Sequence, residues 1–365
     1  MRKERSRSRP VKHAFISAAL AFLAFGGAHS SAPAQPASCA PAGGLSFICG
    51  VQNPEDLVLV PDTGWLLASG MAPGSGLHLV NAREKMARGL YATGAAASRL
   101  DKAKFANCPG PLDPKQAVLH GLSLRKAEAG RFTLYATNHG GRESIEVFEL
   151  DTRGAAPTAT WIGCVLMPDG LAANSVAAFS DGAIVATVLL MPGKTFEDAF
   201  AGQPTGAVYL WAPGTPAFRQ LPGTEFAANN GIETAPDDRE FYVVSSAARK
   251  VTVFSRVDTA KPLRVAQFTG FAPDNIRWTS DGRLITAGMI DDEPSCGGPP
   301  KNLAGILCSR GYVVATIDPK SMAVTEIARG PANTSFTGAS IAMPVGNELW
   351  IGSFNSDRLA YRPLK

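Results

Sequence analysis

The sequence predicts an all-β chain closed into a six-bladed β-propeller with four-stranded blades, preceded by a cleaved signal peptide. Three observations lead there. No long stretch carries helical periodicity; short runs rich in Val, Ile, Thr, Tyr and Phe recur between Gly, Pro and Asp turns; and one unit returns six times. The unit is a polar residue, a short strand, a turn such as PDTG, SDG or PDD, and a second apolar strand. It starts at Glu55, His120, Asn174, Asn230, Asp274 and Thr337, so the starts lie 65, 54, 56, 44 and 63 residues apart. That spacing suits four-stranded blades with variable loops and is too long for a β-helix coil. Two separate β-sandwiches would also use short strands, but radial repetition accounts for the repeated unit and leaves only short, protected edges.

The elements follow in order. Residues 1–35 combine a basic start (Arg2, Lys3, Arg5, Arg7, Arg9, Lys12), the apolar run AFISAALAFLAFGGA at 14–28 and a small-residue exit near SAPAQ. This is the pattern of a secretory leader and linker. Its apolar run is shorter than the roughly 20 residues a membrane span needs. Residues 36–365 are then a single propeller domain, with no stable membrane span after leader cleavage. Between the units, IEVFEL (145–150), AVYLWA (207–212), VTVFSR (251–256), VVATID (313–318) and RLAYRPL (358–364) read as further strands. Because a ring must close, a strand from the segment around 41–52 should pair beside the C-terminal strands. The Gly/Pro-rich stretches 70–118 and 287–311 give no predictable shape.

Six basic residues and Glu4 fall in the leader, so a chain of net charge +4 is left at −1 once the leader is removed. Basicity therefore gives no reason to expect a nucleic-acid partner; the partner expected is a small molecule, and the oligomeric state stays open. The leader places the protein outside the cytoplasm, in the periplasm or the medium. All six cysteines lie beyond the leader. An even count in an exported chain suits three disulfides, and short spacings favour Cys39–Cys49 and Cys296–Cys308 with Cys108–Cys164 remaining, among fifteen possible connectivities. No CxxC pair supports zinc or thioredoxin-like chemistry, and no GxSxG supports a serine nucleophile.

In a propeller the first strand of each blade lines the tunnel, so residues at equivalent unit starts converge. Those starts bring together Glu55, Asn174, Asn230, Asp274 and the adjacent Asn275. Two carboxylates and three amide oxygens, with no thiolate, suit calcium better than zinc or copper. Turn-forming Asn and Asp are ordinary before strands; their recurrence in register with the repeat is what makes them a candidate site. Beyond the leader only His78, His120 and His139 remain. His120 opens one unit and His139 ends its second strand, so both can reach the same tunnel mouth, where imidazole is suited to general-base work near neutrality. His78, in GLHLVN, reads as structural.

Taken together, NPEDLVLVPDTG, HGLSL, TNHGG, FAANNGI, DNIRW and TGASIAM resemble, in order, the paraoxonase/arylesterase family of six-bladed calcium propellers that hydrolyse lactones and aryl esters. The resemblance runs from Glu55 to the end of the chain. It implies that Glu55, Asn174, Asn230, Asp274 and Asn275 hold a catalytic calcium and that His120 and His139 form a catalytic dyad. It also implies a second, structural calcium at Asp56, Leu122 and Ser175, but Ser175 puts a neutral hydroxyl where the family has a carboxylate, which makes this a weaker expectation. The family's disulfide between an N-terminal cysteine and one near the C-terminus does not carry over, since no cysteine follows Cys308. The expected function is calcium-dependent hydrolysis of lactones or aryl esters by water that the dyad activates. The rival expectations are a gluconolactonase/regucalcin-type sugar lactonase and a non-catalytic metal-binding propeller.

Overall fold

The computed structural model describes residues 39–91 and 97–364; the predicted leader at 1–35 lies outside them. Six antiparallel sheets follow one another along the chain. The first comprises Leu57–Leu59, Trp65–Gly70, Gly76–Asn81 and Met86–Tyr91, and the second Leu119–Glu128, Arg131–Asn138, Ser144–Asp151 and Thr158–Leu166. The third holds Ala173–Ala178, Ile184–Val188, Ala207–Trp211 and Arg219–Gln220, and the fourth Asn229–Thr234, Glu240–Ser245, Lys250–Ser255 and Arg264–Gln267. Phe271–Trp278, Leu284–Ile290, Tyr312–Ile317 and Val324–Gly330 make the fifth. The sixth runs Ala339–Val345, Glu348–Ser353 and Arg358–Pro363, and its outermost strand is Ser46–Cys49 from the other end of the domain, pairing Phe47 with Ala360 and Ile48 with Leu359. The expected closure is therefore present. First strands of successive blades touch one another around the full ring, the sixth meeting the first.

Both faces of every sheet are covered by neighbouring blades, which is why inner strands are continuous apolar runs rather than alternating ones. Ile184–Val188 is buried at all five positions. The core is accordingly a set of radial wedges: Leu57, Leu66, Ile341, Trp350 and Leu359 fill the space between the last blade and the first. Phe179, Val185, Val243 and Phe254 do the same between the third and fourth. The flagged PDTG and PDD turns join first to second strands, with Asp62 and Asp238 each at φ 60°, left-handed backbone that a short polar side chain tolerates.

The strands predicted between units are the third strands of their blades. The fourth strands of the first five blades escaped the sequence reading because outer strands face solvent more and carry less apolar pattern, as Arg219 and Gln220 show. The shapeless stretch 70–118 also proves to contain two strands of the first blade and Ala97–Ser98, which adds in parallel to the outer edge of the second. The three disulfides are Cys39–Cys49, Cys108–Cys164 and Cys296–Cys308.

Candidate active site

The site begins with an irregularity found in five of the six inner strands, the sixth blade's between Ala339 and Ile341 included, and four of the five carry predicted site residues. Ladder register breaks between Leu119 and Leu122, between Ala173 and Val176, between Asn229 and Ile232, and between Pro273 and Ile276. Each of these four breaks contains a predicted site residue: His120, Asn174, Asn230, and the pair Asp274 and Asn275. A β-bulge leaves its residues out of the ladder and re-aims their side chains, so one local device, used four times, points polar groups into the tunnel. The glycines of the HG and NG motifs serve the same packing. A Cβ on Gly121 would lie 2.6 Å from the Cα of Ser175, and one on Gly231 would lie 2.6 Å from the Asp274 carbonyl oxygen. Only glycine lets the next blade's bulge come this close.

Glu55, Asn230, Asp274 and Asn275 come together at this mouth, and Asn174 stands in the bulge of the third blade, its carbonyl against the HG turn. Glu55 and Asn275 are buried, Asn230 nearly so, and Asn174 and Asp274 are partly exposed where the tunnel opens. Asn275 Nδ2 donates to Glu55 Oε1 at 2.5 Å, and the Asn230 side chain lies near the Asp274 carboxylate and favours its charged form. The Asn275 donor is thus engaged, and acceptors are left over. Glu55 Oε2, Asn174 Oδ1, Asn230 Oδ1 and Asn275 Oδ1 are buried oxygens without a hydrogen-bond partner. Burying one such acceptor unpaired costs about 1–3 kcal/mol, and four from four different blades have one economical explanation, a cation they share. Burial, and after it the charge on Glu55, pushes the Asp274 carboxyl well above the usual carboxylate range; a dication between the two would relieve both effects. The donor set of carboxylate and amide oxygens fits calcium. Among the described residues no three His, Cys, Asp or Glu side chains gather as a metal cluster, as expected when most of the ligands are amides.

The histidines stand beside this oxygen set. His120 Nε2 lies 3.5 Å from Glu55 Oε1, and His120 Nδ1 is 3.0 Å from His139 Nε2. His139 Nδ1 in turn lies 2.8 Å from Glu143 Oε2. Glu143 was not singled out from the sequence, although TNHGGRE places it four residues after His139. The turn is fixed by buried Asn138, whose amide donates to the carbonyls of Gly140 and Arg142 at 2.9 and 2.8 Å and whose Oδ1 accepts from Gly140 N at 3.2 Å. The order of partners assigns the tautomers: Glu143 accepts from His139 Nδ1–H, His139 Nε2 accepts from His120 Nδ1–H, and His120 Nε2, which faces Glu55 at the mouth, is the nitrogen left to exchange a proton there. Burial pulls the His120 imidazole down, but the charges of Glu55, Asp56 and Glu143 together hold it above the ordinary histidine value. His78, by contrast, sits in the third strand of the first blade with Ser75 Oγ 3.0 Å from its Nε2, a structural contact as expected.

In the expected dyad, Glu143 would act through His139 as a positioning residue. Glu143→Ala is expected to lower kcat by about 10- to 100-fold, the usual cost of removing an orienting partner, with KM and calcium affinity unchanged. Glu143→Gln, which keeps the acceptor, should recover part of the rate. A uniform loss of kcat and calcium affinity in both variants would mean that the contact is merely structural.

The comparisons with known proteins bear on this mouth. Residues 126–296 match the family model described as the SMP-30/Gluconolactonase/LRE-like region. The gluconolactonase-like region carries His139, Asn174, Asn230, Asp274 and Asn275, while Glu55 and His120 precede it. A gluconolactonase from Xanthomonas campestris has a similar structure, with a TM-score of 0.52 and 16% identity over 88% of this chain and 89% of that one. A luciferin-regenerating enzyme gives 0.50 and 13% over 88% of this chain and 99% of its own. These likenesses establish the six-bladed fold. The comparison with curated proteins finds no match. The family match is thus to the SMP-30/gluconolactonase/LRE-like region, over rather less than half of the chain, and the expected paraoxonase/arylesterase family is not the one matched.

Proposed function

We propose that the chain is a calcium-dependent lactonase. The observation that carries the reading is the set of unpartnered oxygens of Glu55, Asn174, Asn230 and Asn275, with His120 Nε2 facing the Glu55 carboxylate. Glu55, Asn174, Asn230, Asp274 and Asn275 would hold the ion. Bound there, calcium supplies Lewis-acid stabilisation of the negative charge that develops on a carbonyl oxygen. His120 Nε2 takes a proton from a water molecule attacking the carbonyl carbon, His139 steadies the ring through Nδ1, and Glu143 fixes His139. The proton passes to the departing alkoxide oxygen, so that water and a cyclic ester give a hydroxy acid.

The gluconolactonase-like region favours sugar lactones as substrates. A second reading, acyl lactones and aryl esters, is favoured by the Glu143–His139–His120 chain, which provides a histidine base beside the ligand oxygens. Hydrolysis of a sugar lactone, an acyl lactone and phenyl acetate, measured before chelation, after it and after calcium is added back, tests both. Activity lost with chelator and restored by calcium is the expected result, and the preferred substrate decides between the readings. Tight calcium binding without turnover on any of the three would reassign the propeller to a binding role. The three disulfides support an oxidising, extracytoplasmic location. No helix among the described residues is long and apolar enough to cross a membrane.

A further inference from the structure

Below the oxygen set, the tunnel is crossed by Arg277, which directly follows the bulge of the fifth blade and is 3% exposed. Its Nη2 pairs with Asp56 Oδ2 and donates to the Leu122 carbonyl at 2.5 Å; its Nη1 donates to the carbonyls of Ile232 at 3.1 Å and Ile276 at 2.6 Å. Glu233 Oε2 lies 3.9 Å from Nη1. One guanidinium therefore ties together the inner strands of the second, fourth and fifth blades and the entry to the first. Asp56 is otherwise held by the amides of Leu57 and Leu122 at 2.8 and 2.7 Å.

Two of the three positions expected to ligate a structural calcium, Asp56 and Leu122, are thus already bonded by Arg277. The third, Ser175, brings only a neutral hydroxyl where the pattern calls for a carboxylate. We infer that Arg277 is the built-in cation of the lower tunnel, replacing a metal ion there and leaving this propeller one calcium site instead of two. Charge favours that assignment. A dication at Asp56 would sit beside a buried, permanently charged guanidinium, whose repulsion is little screened in such a place. Shape favours it as well, because a planar fork can bond a carboxylate and carbonyls on different blades at once.

The inference concerns the lower tunnel and does not depend on the lactonase reading. Native mass spectrometry and equilibrium dialysis on the mature protein should give one calcium per chain. Two would overturn the assignment of Arg277. None would agree with it while removing the upper site. The variant Arg277→Met with Ser175→Asp takes away the fixed charge and supplies the missing carboxylate; if it folds, its stoichiometry should rise from one to two. A folded double variant that stays at one would show that Arg277 is not what keeps a second ion out. The wild-type count decides the matter even if that variant fails to fold.

Discussion

His120→Gln is expected to lower kcat for lactone hydrolysis by about 10²- to 10⁴-fold, the range for losing a positioned general base, while calcium affinity and Tm stay near wild type. His120 Nδ1 is engaged by His139, so the only basic nitrogen facing the mouth is Nε2, 3.5 Å from a carboxylate oxygen of the ligand set. A glutamine can occupy the space and hydrogen-bond His139, but it cannot accept a proton near neutrality. The loss should fall on kcat with little change in KM, because the missing interaction belongs to the transition state. Measured at saturating calcium, an unchanged kcat would remove His120 from the mechanism and leave Glu55 as the base. A large fall in calcium affinity would instead make His120 part of the metal's support.

Much of this site was legible because propeller geometry turns a sequence period into a spatial ring. Glu55, Asn174, Asn230 and Asp274 are dozens of residues apart, yet equal positions in equal units must meet. The period could not show what the bulges add, since a bulge is a backbone choice that leaves only a faint trace, such as the glycine after His120 or Asn230. Glu143 was missed because its role arises from a turn held by Asn138, with no apolar rhythm to mark it. Arg277 was missed for the opposite reason: DNIRW reads as a strand in which a charged residue should face solvent, and only the closed ring shows that its side chain enters the tunnel and meets Asp56. The expected second calcium followed from matching three positions to a family pattern. On the inference drawn for the lower tunnel, its place is taken by a fourth residue that the pattern did not include, Arg277.

Deleting residues 358–365 is expected to abolish cooperative folding of the whole domain, seen as loss of the thermal transition. The strand Arg358–Pro363 lies between Glu348–Ser353 and Ser46–Cys49. Removing it exposes one edge of the sixth blade and leaves the N-terminal strand without a partner. Leu359 and Ala360 are fully buried, and Leu359 packs in the wedge that joins the last blade to the first, with Trp350, Leu57 and Leu66. Loss of that wedge would open the ring at the blade carrying Glu55, so the metal ligands would separate together with the fold. Leu359→Asp tests the same point at full length, by placing an unpaired charge in an apolar wedge. Its Tm should fall and its calcium affinity with it. An intact transition in both variants would mean that the other five blades hold the ring without this seam, and that Glu55 is positioned by the neighbouring inner strands alone.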